Sequence, residues 1–279
     1  MRVYVYRGVG ARLRRLGARR ALDVALCDPD ILRLTGRVRV VLSPRTSTAA
    51  EVAERRRGLE RLSTGSSRLD ELLGGGLEVG YITELVGEYG AGKTQLCHQL
   101  AVMVQLPREE GGLEAKALYI DTEGTFRPER IVSMAEYRGL DPREALENIV
   151  YVEARGEGAL ISAVAESRRM DVRLVVVDTL IAPLPLGEGV EGLARRQFAL
   201  TRLMRLLREV ARGGRVVVVA NRMSADRPAG GLALALGSHY RLMMRRSRGD
   251  RRVVELLRAP HLPPGSATVR IAEEGVLDA

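Results

Sequence analysis

The sequence predicts an α/β protein: a mostly parallel sheet with helices on both faces, antiparallel strands at one edge, and a short N-terminal extension. Three observations predict it. Short apolar runs alternate with helical stretches along most of the chain. A glycine-rich segment joins one such run directly to the helix after it. Apolar residues make up 46% of the 279 residues and aromatics only 4%, so aliphatic side chains must fill the core, as they do in parallel sheets.

Residues 1–60 read as a basic extension and linker, and 61–279 as one large α/β domain. Within the extension, 12–20 is a basic stretch, 44–48 a linker and 50–57 a short charged helix. Strands are expected at 82–86, 117–120, 149–152, 174–177 and 216–220, each bounded by turn residues and followed by a helical stretch. One helix is especially clear: Leu193, Gln197, Leu200, Met204, Leu207 and Ala211 share a face, with Arg195, Arg202, Arg205, Arg208 and Arg212 largely off it. That pattern fits a helix packed on the sheet with a solvated basic face. The closing runs 240–244, 252–257 and 268–271 have short connections and are expected to add antiparallel strands at one edge.

The net charge is +9, and every basic residue except Lys93 and Lys116 is arginine. A genome rich in G and C or a hot habitat accounts for this, and so does a polyanion partner such as nucleic acid, since arginine forks match phosphate oxygens. Cys27 and Cys97 have no metal-ligand or disulfide pattern. No apolar run approaches the roughly 20 residues of a membrane helix. Residues 1–20 are acid-free and arginine-rich, which resembles a transit peptide; a cytoplasmic protein with a basic extension is the expectation.

The chemistry centres on Gly87-Glu88-Tyr89-Gly90-Ala91-Gly92-Lys93-Thr94, which fits G-x-x-x-x-G-K-[ST] with a strand entering and a helical stretch leaving. Glycines let backbone N–H groups converge on phosphate oxygens, and the helix N-terminus adds positive potential. Lys93 is expected to reach the β and γ phosphates of ATP, and Thr94 to offer a hydroxyl to Mg²⁺. Asp178 ends the run Leu174-Val175-Val176-Val177, the placement of an acid beside that Mg²⁺. Asp121 and Glu123 end another run. In an open parallel sheet such ends face the ligand crevice, so Glu123 is placed to activate water, while a helix-cap or surface role remains open for both acids.

Several segments together resemble the archaeal RadA recombinases and their eukaryotic counterparts, which are RecA-type P-loop ATPases. These are Thr64-Gly65-Ser66 with 69–76, the phosphate loop followed by Gln95-Leu96-Cys97-His98, the stretch 119–130 and Ala259-Pro260-His261-Leu262-Pro263. The resemblance runs from about residue 61 to the end, more weakly from Thr46. It implies a RecA-like core, ATP and Mg²⁺ as ligands, a catalytic role for Glu123 beside Lys93, adenine stacking by Arg130 and γ-phosphate sensing by Asn221. Nucleotide contacts then run over Gly87, Glu88, Tyr89, Gly90, Ala91, Gly92, Lys93, Thr94, Gln95, Arg130 and Asn221, with Thr94 and Asp178 at the metal. Cys97 and His98 are expected to be packing residues.

The departures from the family pattern are as informative. Arg222 stands where the family usually has Gln. Leu236 and Arg258 replace a His and an Asp that help close the ATP site across a subunit boundary. Val190 falls on an arginine of the first DNA loop, and the loop 223–229 is shorter than the second. Thr46-Ser47-Thr48-Ala49 aligns with a Phe-x-x-Ala polymerisation motif but lacks the Phe. The family's helical N-terminal DNA-binding domain is expected to be reduced or absent. An intact ATPase half with altered assembly parts points to an accessory paralogue in recombination and repair. Such a protein would bind DNA, single-stranded for preference, through Arg195, Arg196, Arg222 and Arg227. Its protein partner would be a RadA recombinase or another paralogue, with oligomers allowed and no membrane. The alternatives are a true strand-exchange recombinase and a KaiC-like regulatory ATPase acting on proteins.

Overall fold

The computed structural model describes the backbone of residues 2–5, 38–41, 46–184, 189–224 and 227–279. The basic stretch 12–20, Cys27 and the linker residues 44–45 lie outside the described residues. The chain divides into two units, Met1–Gly58 and Leu59–Ala279.

In the first unit, β1 (Arg2–Val5) pairs antiparallel with β2 (Val38–Val41), and a helix α1 spans Ala49–Arg57. Thr48 caps it reciprocally: its hydroxyl accepts from the Glu51 N–H at 3.2 Å, and the Glu51 carboxylate accepts from the Thr48 N–H at 2.9 Å. The Thr46–Ala49 segment is therefore a helix start with Thr46 exposed.

The second unit opens with β3 (Arg61–Leu62), α2 (Ser67–Leu72) and β4 (Leu77–Glu78), the strands pairing antiparallel. Asp70 organises this entry, its Oδ1 accepting from both the N–H and the hydroxyl of Thr64 at 2.7 Å. The main sheet then takes β5 (Ile82–Gly87), β6 (Ala117–Asp121), β7 (Ile149–Glu153), β8 (Leu174–Asp178), β9 (Val216–Ser224), β11 (Tyr240–Arg246), β12 (Arg251–Arg258), β13 (Ser266–Ala272) and β14 (Gly275–Asp278) in the order 14-13-12-11-5-9-8-6-7. A two-residue β10 (Arg227–Pro228) pairs with β9. Every residue of β5, β6 and β8 is buried, as expected of parallel strands covered on both faces.

The order fixes where the helices lie. From β5 the chain moves outward to β6 and β7, then returns through β8 and β9 to β11. Right-handed crossovers put α3 (Lys93–Met103), α4 (Pro128–Tyr137) and α5 (Pro142–Glu147) on one face. They put α6 (Glu157–Glu166), α7 (Gly189–Arg212) and α8 (Gly231–Gly237) on the other. Strand parity agrees. Leu85, Tyr119, Val176, Val218 and Ala220 share a core cluster with Leu96, Leu100, Ile131 and Met134 of α3 and α4.

Two expectations need correction. β11 is not part of the antiparallel edge: it runs parallel to β5, with Tyr240 opposite Thr83, and only β12, β13 and β14 continue antiparallel. The reason is α8, a seven-residue helix that turns the connection after β9 into a crossover. Leu193 does not share the buried face of α7. It is 57% exposed, whereas Leu200, Met204, Leu207 and Ala211 are buried. A 24-residue helix is about 36 Å long, so its first turns run past the sheet.

No helix among the described residues is long and apolar enough to cross a membrane.

Candidate active site

The parallel strands end at one rim of the sheet, and the β5 end carries the glycine-rich loop. Two glycines there are sterically required. A Cβ on Gly87 would lie 2.5 Å from the Met244 carbonyl oxygen, and one on Gly92 would lie 2.4 Å from the Ile271 side chain. Gly92 also has φ +100° as the residue before α3. Ala91 is buried beneath the loop, and Glu88, Tyr89 and Gly90 are exposed along it. Lys93 folds back, its Nζ donating to the carbonyls of Gly87 and Glu88 at 2.9 Å each.

Asp178 ends β8 next to Lys93 and is 1% exposed. The Tyr119 hydroxyl donates to its Oδ2 at 2.9 Å, and the Thr94 hydroxyl donates to it as well. Burial raises its pKa against these hydrogen bonds, and burial lowers that of Lys93 against the charge of Asp178. Burial thus pushes each group toward its neutral form, a cost that a polyanion beside Lys93 and a cation beside Asp178 would offset. Asp178 and Thr94 supply hard oxygen donors, and no cluster of three or more His, Cys, Asp or Glu among the described residues could hold a metal unaided. That donor set suits Mg²⁺ carried with phosphate oxygens.

Asp121 and Glu123, alike in sequence, separate clearly. Asp121 is fully buried and is neither a helix cap nor a surface acid. Its Oδ1 accepts from the N–H groups of Glu123 and Gly124 at 3.0 and 2.9 Å, and its Oδ2 from that of Phe126 at 2.9 Å. It therefore shapes the loop that carries Glu123. Glu123 is exposed at the cleft, its Oε1 accepting from the Thr179 hydroxyl at 3.0 Å.

His98 sits behind the loop, fully buried. Its Nδ1 lies 2.6 Å from the Thr94 carbonyl, and its Nε2 accepts from the Arg127 N–H at 3.0 Å. The two partners fix one neutral tautomer, and burial lowers its pKa to about 4. Cys97 is buried, with its thiol pKa raised by burial. Both are packing residues.

The cleft itself has a volume of about 890 Å³, and its wall includes Glu88, Lys93, Thr94, Gln95, Glu123, Asp178 and Thr179. Arg130 lies at its flank. Its Nε donates to Gln95 Oε1 at 2.7 Å, and its terminal nitrogens donate to the carbonyls of Ala272 and Glu273.

Asn221 is placed otherwise. Strand alternation turns it to the α8 side of the sheet, where its Nδ2 donates to Glu84 Oε1 at 2.7 Å and to the Ala229 carbonyl at 2.8 Å. The next residue, Arg222, turns to the other side and lines the cleft together with Met223 and Arg252.

Glu84 is a site residue that no motif or spacing marks out. It is fully buried and also accepts from Ser238 Oγ at 3.1 Å and from Arg241 Nε and a terminal nitrogen at 2.7 and 3.2 Å. Its position opposite Val219 and Arg241 in the sheet register was the missing signal.

Of the altered family positions, Leu236 is 62% exposed on α8, and Arg258 donates to the Ala235 carbonyl of the same helix. After β9 the described chain resumes at β10, which pairs antiparallel with it, Pro228 opposite Met223. The side chains of Val190 and Arg227 lie outside the described residues.

Residues 55–279 match the family model described as Rad51. The chain is also 42% identical to the DNA repair and recombination protein RadA of Metallosphaera sedula, over 88% of this chain and 81% of that protein.

Proposed function

The chain belongs to the Rad51 family, and on that premise we propose that it is a DNA-dependent ATPase acting as an accessory paralogue in recombinational repair. The observation that carries the ATPase reading is the convergence of Lys93, Thr94, Glu123 and Asp178 on one cleft.

In this reading the loop N–H groups and Lys93 hold the ATP phosphates, Lys93 leaving its two loop carbonyls to do so. Thr94 and Asp178 would hold Mg²⁺, whose charge would offset that of the phosphates. Glu123, positioned by the Asp121-bound loop and by Thr179, orients water and takes its proton as the water oxygen attacks the γ-phosphorus. The β–γ bridging bond breaks, leaving ADP and phosphate.

The paralogue reading rests on parts outside that cleft. A buried Phe would contribute roughly 1.5–3 kcal/mol to a subunit contact, and the exposed Thr46 offers nothing equivalent. Arg258 places a cation, tied to a helix carbonyl, where the family has an acid. The second reading is a strand-exchange recombinase, since the likeness to RadA is common to both readings. Electron microscopy with ATP, Mg²⁺ and single-stranded DNA separates them. Short or absent filaments and no joint molecules are expected, and regular helical filaments with joint molecules establish the recombinase instead.

A further inference from the structure

Arg222 is the cleft arginine that stands apart. Arg127 donates to the carbonyls of Gly124 and Phe126, and Arg252 to those of Gly249 and Arg251. Arg222 lines the same cleft and is exposed; its backbone carbonyl accepts from the Ala229 N–H, but its guanidinium has no hydrogen bond or ion pair to any described residue. A guanidinium without a partner among the described residues offers phosphate oxygens a planar fork of donors that matches them.

The sheet register fixes which part of the cleft it serves. Arg222 pairs with Gly87, the first residue of the phosphate loop, on the neighbouring parallel strand, where backbones lie about 4.8 Å apart. Parity puts it on the α3 side with Leu85 and Ala220, the side from which Lys93 projects. Asn221 faces away into the Glu84 network. On its far side β9 is bordered by β8, which delivers Asp178 and then Thr179, the hydrogen-bond partner of Glu123. Arg222 therefore stands between the phosphate loop and the acids, at the γ-phosphate end of the cleft.

We propose that Arg222 contacts the γ-phosphoryl oxygens of ATP bound to its own subunit and stabilises the charge they carry as water attacks, so that this chain supplies its own arginine finger. The proposal rests on the ATPase reading above. The reaction is unchanged: the γ-phosphorus forms a bond to the water oxygen and loses its bond to the bridging oxygen, Glu123 takes the proton, and Arg222 neither gains nor loses one. What changes is where the transition-state charge is met, inside one subunit rather than at a boundary. The role expected from sequence, a DNA contact, gives way to one in the nucleotide cleft.

The test is steady-state ATP hydrolysis by full-length R222A and R222K, with thermal melts to confirm folding, which an exposed side chain leaves intact. The kcat of R222A is expected to fall about 10³-fold, at the low end for an arginine finger, with KM for ATP within about threefold. R222K should keep part of the rate, because it keeps the charge but loses the fork. Mixing R222A with E123Q then asks whether the arginine acts across a boundary. The proposal expects no recovery, because neither subunit holds both groups. Three results overturn it: R222A turnover near wild type, recovery of turnover in the mixture, or loss of single-stranded DNA binding in R222A with its basal turnover intact. Absence of turnover in the wild type itself would instead refute the ATPase reading.

Discussion

Removing Arg241 tests whether the buried Glu84 network holds the phosphate-loop strand to its neighbours. Glu84 is fully buried and accepts four hydrogen bonds, two of them from Arg241, whose side chain is 14% exposed. R241M keeps much of the side-chain volume but leaves the carboxylate with only the neutral donors of Asn221 and Ser238. Breaking a buried pair by removing one partner costs about 3–5 kcal/mol. For a domain of this size that is a melting-temperature drop of roughly 6–20 °C. The double variant E84Q/R241M removes the uncompensated charge while retaining an amide oxygen as acceptor. It should be more stable than R241M alone by at least about 1.5 kcal/mol, a coupling that additive effects do not produce. Urea unfolding followed by circular dichroism at pH 7 gives both numbers, provided the slope with denaturant is unchanged among variants. A cost below about 1 kcal/mol for R241M, or single-variant costs that simply sum in the double, would refute the reasoning.

Nucleotide chemistry and the acid limb of stability give further tests. K93A should lose ATP affinity in a nucleotide-binding titration, since it removes the one flexible cation of the phosphate loop; undiminished affinity would count against the assignment. E123Q should retain nucleotide and lose turnover in single-turnover assays, because an amide cannot take the proton; wild-type rates would remove Glu123 from the mechanism. His98 is held neutral, its pKa lowered to about 4 from 6.5. The unfolded chain therefore binds a proton that the folded one refuses as pH falls through that window, and the linked loss of stability is about 3 kcal/mol between pH 6.5 and 4. H98Q should be less stable at pH 7 yet flatter across that range in urea midpoints, and parallel pH profiles would contradict the tautomer assignment. DNA binding through phosphate contacts should weaken with salt at a slope of about −0.7 per phosphate on single strands, and a salt-insensitive complex would point to another mode.

The phosphate loop and the aliphatic strands were legible in the sequence because each is a local signal. Gly87 to Thr94 states its own geometry, and runs such as 174–177 can be little else than buried strands. Strand direction at the sheet edge was not legible. The parallel course of β11 depends on a seven-residue helix, α8, too short to show periodicity. The separation of Asp121 from Glu123 was equally hidden, because the two stand two positions apart at one strand's end, and only the structure shows that Asp121 closes β6 and collects the N–H groups of the loop that carries Glu123. Arg222 and Asn221 show the same limit. One step along β9 exchanges a face of the sheet, and sequence offers no parity until neighbouring strands are known.

The way Gln99 is held has a consequence for biosynthesis. This buried residue of α3 donates through Nε2 to the carbonyls of Thr64 and Val276 at 2.6 and 2.8 Å and accepts from the Val276 N–H at 2.7 Å. Arg130 likewise needs the carbonyls of Ala272 and Glu273. Val276 follows Gln99 by 177 positions. At about 5–20 residues per second on the ribosome, roughly 10–35 s separate synthesis of the phosphate-loop helix from that of the strand that braces it. Throughout that interval the amide of Gln99 lacks two of its three partners, and for most of it β13, whose Ile271 packs against Gly92, has yet to be made. The nascent chain should therefore gain ATP affinity only once the β13–β14 hairpin has been made and docks behind the phosphate loop.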